Sequence, residues 1–146
     1  MREHKYRAWD KKTKQIVEVV AIVYSDFQIE GDCNDNLGDP EVDEGIWIKM
    51  ANLIVEHRDF KDVKLMEYIE RKDVDGKEIC EGDVLKDNYG RILLVEWHKH
   101  CFSFKAVIET NFFRARDISQ WFENGETPPK IIGNIYKNPE LVRGVR

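Results

Sequence analysis

From residue 64 onward, turn-forming clusters interrupt the chain at short intervals: Asp73-Val74-Asp75-Gly76, Glu81-Gly82-Asp83, Asn88-Tyr89-Gly90 and His98-Lys99-His100. Such spacing leaves no room for helices of ordinary length and admits only strands of about four to eight residues between reversals. The intervening residues fit. Leu93, Val95 and Trp97 fall on one face of a strand over 91–97, and Phe102, Phe104, Ala106 and Ile108 on one face of a strand over 101–109. This is the alternation of an antiparallel pair with one side in a core. Further strands are expected over 65–71, 84–86 and 130–136. Residues 115–123, ARDISQWFE, place Ile118, Trp121 and Phe122 at helical spacing and predict a short helix before Pro128-Pro129. Asn138 followed by Pro139 predicts a capped helical turn.

The first half carries the same period with one long interruption. Residues 4–9 alternate polar and aromatic side chains, 10–14 form a polar turn, and 15–25 contain the β-branched run IVEVVAIVY, which together predict a hairpin. Residues 30–45 combine Gly, Asn, Asp and Pro with almost nothing apolar and are expected to be a flexible acidic loop. Short β segments resume over 46–50 and 52–56, with His57-Arg58-Asp59 closing the second. The expected organisation is a β-rich N-terminal region over 1–64, a small barrel over 65–142 and a tail over 143–146. The expected fold class is mainly β: a small SH3-like β-barrel in the C-terminal half, an additional β-rich N-terminal region and one or two short helices.

At 146 residues, 42% hydrophobic and 35% charged, the chain has the size and composition of a globular protein with a true core. No apolar stretch approaches the roughly 18 residues needed to cross a bilayer, and the opening MREHKYRAWDKK is charged where a signal peptide is apolar, so a cytoplasmic protein without membrane association is expected. Cys33, Cys80 and Cys101 are odd in number and widely spaced, which predicts reduced thiols. The net charge of -5 is unevenly spread: residues 1–16 hold six Lys/Arg against two acids, and 26–46 hold eight acids and no Lys/Arg. These opposed segments either attract one another, within the fold or between subunits, or are two solvated surfaces.

No catalytic residue, metal set or cofactor is expected. Glu81 and Asp83 lie two apart, as paired acid/base carboxylates do, but Gly82 between them and Asp75-Gly76 upstream point to carboxylates that cap a turn. The glycines over 76–90 match no phosphate-binding pattern and are read as permitting tight reversals. His98, His100 and Cys101 crowd together but offer at most three ligands, short of a closed zinc site. Asp32, Asn34, Asn36 and Asp43 have partial calcium-loop spacing, yet Leu37 stands where that loop needs Gly. Phe112, Phe113, Arg114 and Arg116 have a composition suited to an interaction surface or to stacking on single-stranded nucleic acid, against a plainer role as core aromatics with solvated arginines. Trp9, Trp47, Trp97 and Trp121 are expected to be core or interface anchors.

The turn, Gly82-Asp83-Val84-Leu85, turn, Gly90-Arg91-Ile92-Leu93-Leu94-Val95-Glu96 order is similar to the opening strands of an SH3-like barrel. Three segments in order, residues 1–14, 65–86 and 132–141 (IGNIYKNPEL), resemble the YopX family of phage and prophage proteins. Members usually have Tyr-Thr-Gly-Leu-Lys-Asp where this chain has Tyr68-Ile69-Glu70-Arg71-Lys72-Asp73, and Tyr where it has Cys80. The resemblance implies a mostly β, oligomeric protein encoded by a phage or prophage, with no catalytic residues to carry over. The expected function is a phage accessory role as a non-enzymatic module that associates with itself, with a host or phage protein as a further possible partner. The alternative is nucleic-acid binding through the basic N-terminal hairpin and the Phe112 to Arg116 patch. An enzyme built on His98, His100 and Cys101 ranks third.

Overall fold

A computed structural model describes residues 5–24, 44–99, 103–107 and 115–143. Eleven strands are described: Tyr6–Asp10 (β1), Gln15–Val23 (β2), Gly45–Lys49 (β3), Val55–Arg58 (β4), Val63–Lys72 (β5), Glu78–Cys80 (β6), Asp83–Lys86 (β7), Ile92–His98 (β8), Ser103–Val107 (β9), Ala115–Asp117 (β10) and Lys130–Asn134 (β11). One short helix, Ser119–Glu123 (α1), and 3-10 turns at Phe60–Asp62 and Pro139–Val142 complete them. The strands form two sheets, ordered β4-β3-β2-β1-β5-β6 and β10-β9-β8-β7-β11. The mainly β class is as expected, but among the described residues neither sheet closes on itself, so a closed barrel is not seen.

The chain divides into two compact units, one of residues 8–64 and one of residues up to Arg7 together with those from Leu65. In the first, β2, β3 and β4 form an antiparallel meander. Ile46 and Ile48 of β3 are fully buried, as period-two alternation requires. In the second, Leu85, Leu93, Val95 and Ala106 line one face of the β7-β8-β9 sheet and pack with Ile79, Ile118 and Trp121. Val84 and Leu94 point to the opposite face and are also buried, against Val142. Strand β8 is thus covered on both faces, which the one-sided reading missed.

Several local expectations need correction. Trp97, expected to be a core or interface anchor and placed on the core face with Leu93 and Val95, is 45% exposed at the far end of β8, edge-on to Phe104, and so is not in the core. The helix predicted over 115–123 begins only at Ser119, because Ala115–Asp117 pairs with β9. Asn138 precedes the terminal 3-10 turn, with Pro at its start as expected, but it makes no side-chain cap bond; its Oδ1 accepts from Asn134 N at 3.4 Å instead. Residues 52–54, expected to be strand, form the β3–β4 turn, and His57 and Arg58, expected to close the strand, belong to it. The acidic loop over 30–45 falls almost wholly outside the described residues.

Candidate functional site

The glycines and carboxylates of residues 73–91 build turns. Asp73 and Asp87 begin two copies of one five-residue reversal. In each, the fourth residue, Gly76 or Gly90, donates to the carbonyl of the first (3.0 and 3.1 Å), and the first donates to the carbonyl of the fifth (2.8 and 3.1 Å). The carboxylate at the first position takes two further backbone N–H groups: Asp75 and Lys77 on Asp73 at 2.9 and 2.8 Å, and Tyr89 and Arg91 on Asp87, both at 2.9 Å. The fourth residue must adopt a left-handed conformation, and φ is +80° and +82° at the two glycines. Glycine adopts it without the penalty that a Cβ brings.

The β3–β4 turn is a third copy with a different residue in the demanding position. Leu53 N donates to Met50 O and Met50 N to Ile54 O, both at 2.9 Å, while Asn52 Oδ1 accepts from Ile54 N at 3.2 Å. Leu53 sits at φ +66°. Its side chain is 74% exposed, followed by Ile54 at 55% and Val55 at 44%. At the other end of β4, Phe60 stacks on Tyr24, ring centroids 5.1 Å apart, and both are exposed.

Two buried ion pairs anchor the units separately. In residues 8–64, the fully buried Asp10 receives Arg58 Nε and Nη2 at 3.2–3.3 Å, Thr13 Oγ1 at 2.8 Å and Lys12 N at 3.1 Å. Burial pushes the Asp10 carboxyl upward, but the bonds from Arg58, Thr13 and Lys12 outweigh it and hold the group below its ordinary value. In the other unit Asp83 Oδ1 accepts from Arg7 Nη2 and, at 3.3 Å, from Asn134 Nδ2, while Oδ2 accepts from Cys80 N at 2.9 Å. Here burial dominates and leaves the Asp83 carboxyl raised, with Arg7, Cys80 N and Asn134 pulling it back only in part. The turn-capping role expected of Asp83 is therefore present, through Cys80 N; its ion pair with Arg7 was not foreseen.

Cys80 is completely buried, its Sγ within 3.2–3.3 Å of the Met66 and Glu67 carbonyls, and burial raises its thiol to about 12. At neutral pH it is a protonated thiol rather than a nucleophile. His98 ends β8, while His100 and Cys101 lie outside the described residues. Among the described residues no three His, Cys, Asp or Glu side chains form a metal-binding group, and no helix is long and apolar enough to cross a membrane. Phe112, Phe113 and Arg114, with the candidate calcium residues 32–43, also lie outside the described residues. Arg116 lies on β10, opposite Ala106. Of the candidate site residues reached by sequence reasoning, Asp83 sits in a buried cluster, with Arg7, Cys80 and Asn134. The exposed β3–β4 tip was missed; Asn52, a turn-forming residue directly before the apolar run, is the signal that marks it.

Asp73 adds a pH dependence. Burial raises its carboxyl, but N–H donation from Ile131 (3.1 Å), Lys77 and Asp75 outweighs that and leaves it depressed. A depressed carboxylate stabilises the fold above its unfolded value, about 3.9, and that contribution is lost as pH falls through the depressed folded value. Asp10 acts with the same sign and Asp83, being raised, with the opposite one. Urea unfolding as a function of pH is expected to show stability falling below about pH 4, with Asp73→Asn flattening the fall.

These two antiparallel sheets, with buried carboxylates spent on turns and ion pairs, define a mainly β protein with an exposed apolar hairpin tip. A family model described as YopX protein matches residues 5–143, and the chain belongs to the YopX family. The fold is similar to the crystal structure of protein EF1440 from Enterococcus faecalis, with a TM-score of 0.56 and 24% identity over 98% of this chain and 100% of that one. No curated protein sequence matches the chain.

The glycine that family members usually carry in Tyr-Thr-Gly-Leu-Lys-Asp falls on Glu70, which has φ +57° where the β5–β6 register shifts. Glu70→Gly is expected to stabilise the protein by about 0.5–1 kcal/mol, the left-handed penalty less the entropy that glycine loses on folding. The midpoint of urea denaturation checks it.

Proposed function

We propose that this protein is a phage or prophage accessory protein of the cytoplasm, acting as a non-enzymatic module that associates with copies of itself. Its C-terminal half serves as a barrel-like scaffold of the SH3 kind. The observation that carries this reading is the run Leu53-Ile54-Val55, exposed at the tip of a hydrogen-bonded hairpin. Water-exposed apolar side chains in sequence are the kind of surface a partner covers. The alternative, nucleic-acid binding, has less to draw on: Lys5 pairs with Glu78, Arg7 with Asp83 and Lys12 with Asp62, and Lys11 Nζ donates to the Lys61 carbonyl. Much of the basic N-terminal charge is thus engaged within the chain.

Light scattering of the eluting peak over a series of protein concentrations tests the reading. A mass above that of one chain and rising with concentration is expected. A single-chain mass throughout would overturn it, and salt-dependent retention of a labelled single-stranded oligonucleotide would favour the alternative.

A further inference from the structure

Five asparagines lie among the described residues: Asn52, Asn88, Asn124, Asn134 and Asn138. An asparagine loses its side-chain amide without an enzyme when the backbone nitrogen of the next residue attacks Cγ, an intramolecular reaction that needs that N–H free and within reach. Four of the five are denied it. Leu53 N donates to Met50 O at 2.9 Å, Tyr89 N to Asp87 Oδ1 at 2.9 Å and Ile135 N to Gly82 O at 2.8 Å, while Pro139 has no N–H to offer. The side chains of Leu53, Tyr89 and Ile135 also stand beside the attacking nitrogen.

Asn124 differs on each count. It is exposed, and the residue that follows it is Gly125, also exposed. Among the described residues no acceptor is found for Gly125 N. An atom at the Cβ position of Gly125 would meet nothing within 4 Å, and φ there is +66°. Lacking a side chain, glycine brings its nitrogen to a neighbouring group at the least steric cost. The fold holds the pair at the surface: Glu126 N donates to Trp121 O at 3.1 Å, and Trp121 is buried in the core.

We propose that Asn124-Gly125 is a site of spontaneous covalent modification. Gly125 N bonds to Asn124 Cγ, the Cγ–Nδ2 bond breaks, and ammonia leaves with the proton that Gly125 N gives up, closing a cyclic imide. Water then adds to one of the two imide carbonyls and opens the ring to an aspartyl or an isoaspartyl residue. No electrons are exchanged, and the net change is water consumed and ammonia released. Either product sets a new carboxylate between Glu123 and Glu126 and makes the chain more negative by one charge. The isoaspartyl form also adds a methylene to the main chain inside the turn that Glu126 N closes on Trp121 O.

Incubation of the folded full chain in mildly alkaline buffer, followed by anion exchange and peptide mass mapping, tests the proposal. A more acidic species is expected to accumulate. Its amide-to-acid mass change is expected at position 124, at least about tenfold faster than at Asn52 or Asn88. Isoaspartyl methyltransferase is expected to label the same peptide. Asn124→Gln, whose longer side chain disfavours the cyclic imide, is expected to lose this conversion while its denaturation midpoint matches that of the wild-type chain. An Asn124 peptide that keeps its amide throughout would overturn the proposal. So would conversion at Asn52 or Asn88 in the folded chain as fast as at Asn124.

Discussion

Arg58→Ala is expected to destabilise the unit of residues 8–64 by about 3–5 kcal/mol, the loss measured when one member of a buried ion pair is removed and the other keeps its charge. Asp10 has no exposure, and Arg58 supplies two of the nitrogens that hold its carboxylate. Without the guanidinium, a buried negative charge retains only the Thr13 hydroxyl and the Lys12 amide. Arg58→Lys is expected to recover a minor part, since an ammonium cannot reproduce the planar fork that contacts Asp10 while Nη1 also meets Glu56 at 2.7 Å. The pH dependence gives the sharper check. Protonating Asp10 removes the unpaired charge, so the deficit of Arg58→Ala relative to wild type, measured by urea unfolding, is expected to shrink as pH falls toward 4. A deficit independent of pH would assign the loss to packing.

Asp83→Ala is expected to cost a similar amount, about 3–5 kcal/mol, in the other unit. It strands Arg7, the Asn134 amide and the Cys80 backbone N–H at once, and a buried donor left without an acceptor is destabilising by itself. Amide exchange at Cys80 is expected to accelerate more than exchange at residues of β8, because Cys80 N loses its acceptor directly. The double variant Arg7→Met, Asp83→Leu is expected to regain much of the loss, since apolar residues remove the unpaired charge. A double variant as unstable as the single one would mean that the Cys80 turn, rather than the ion pair, dominates.

The legible part of this protein was the part written in short-range pattern. The turns at 10–14, 73–76 and 88–90, the β7–β8–β9 meander and the Pro139 turn follow from residues within a few positions of one another. So did the reading of the glycines at 76 and 90 as conformational devices, which their left-handed φ angles bear out. Ala115–Asp117 was misread because its strand state comes from pairing with β9, a contact that helical spacing cannot reveal. The tip at 52–54 was misread because Leu, Ile and Val signal strand by composition, while Asn52 and the hydrogen bonds around it make a turn.

Residue by residue, the sequence alone determined the β class, the family and, the β3–β4 tip apart, most places where the chain reverses, because alternation, turn chemistry and motif order act over a few positions. The tertiary structure decided which carboxylates matter. Asp10 meets Arg58 across 48 residues and Asp83 meets Arg7 across 76. A charge's partner and its exclusion from water are properties of the folded neighbourhood, and no local pattern encodes them.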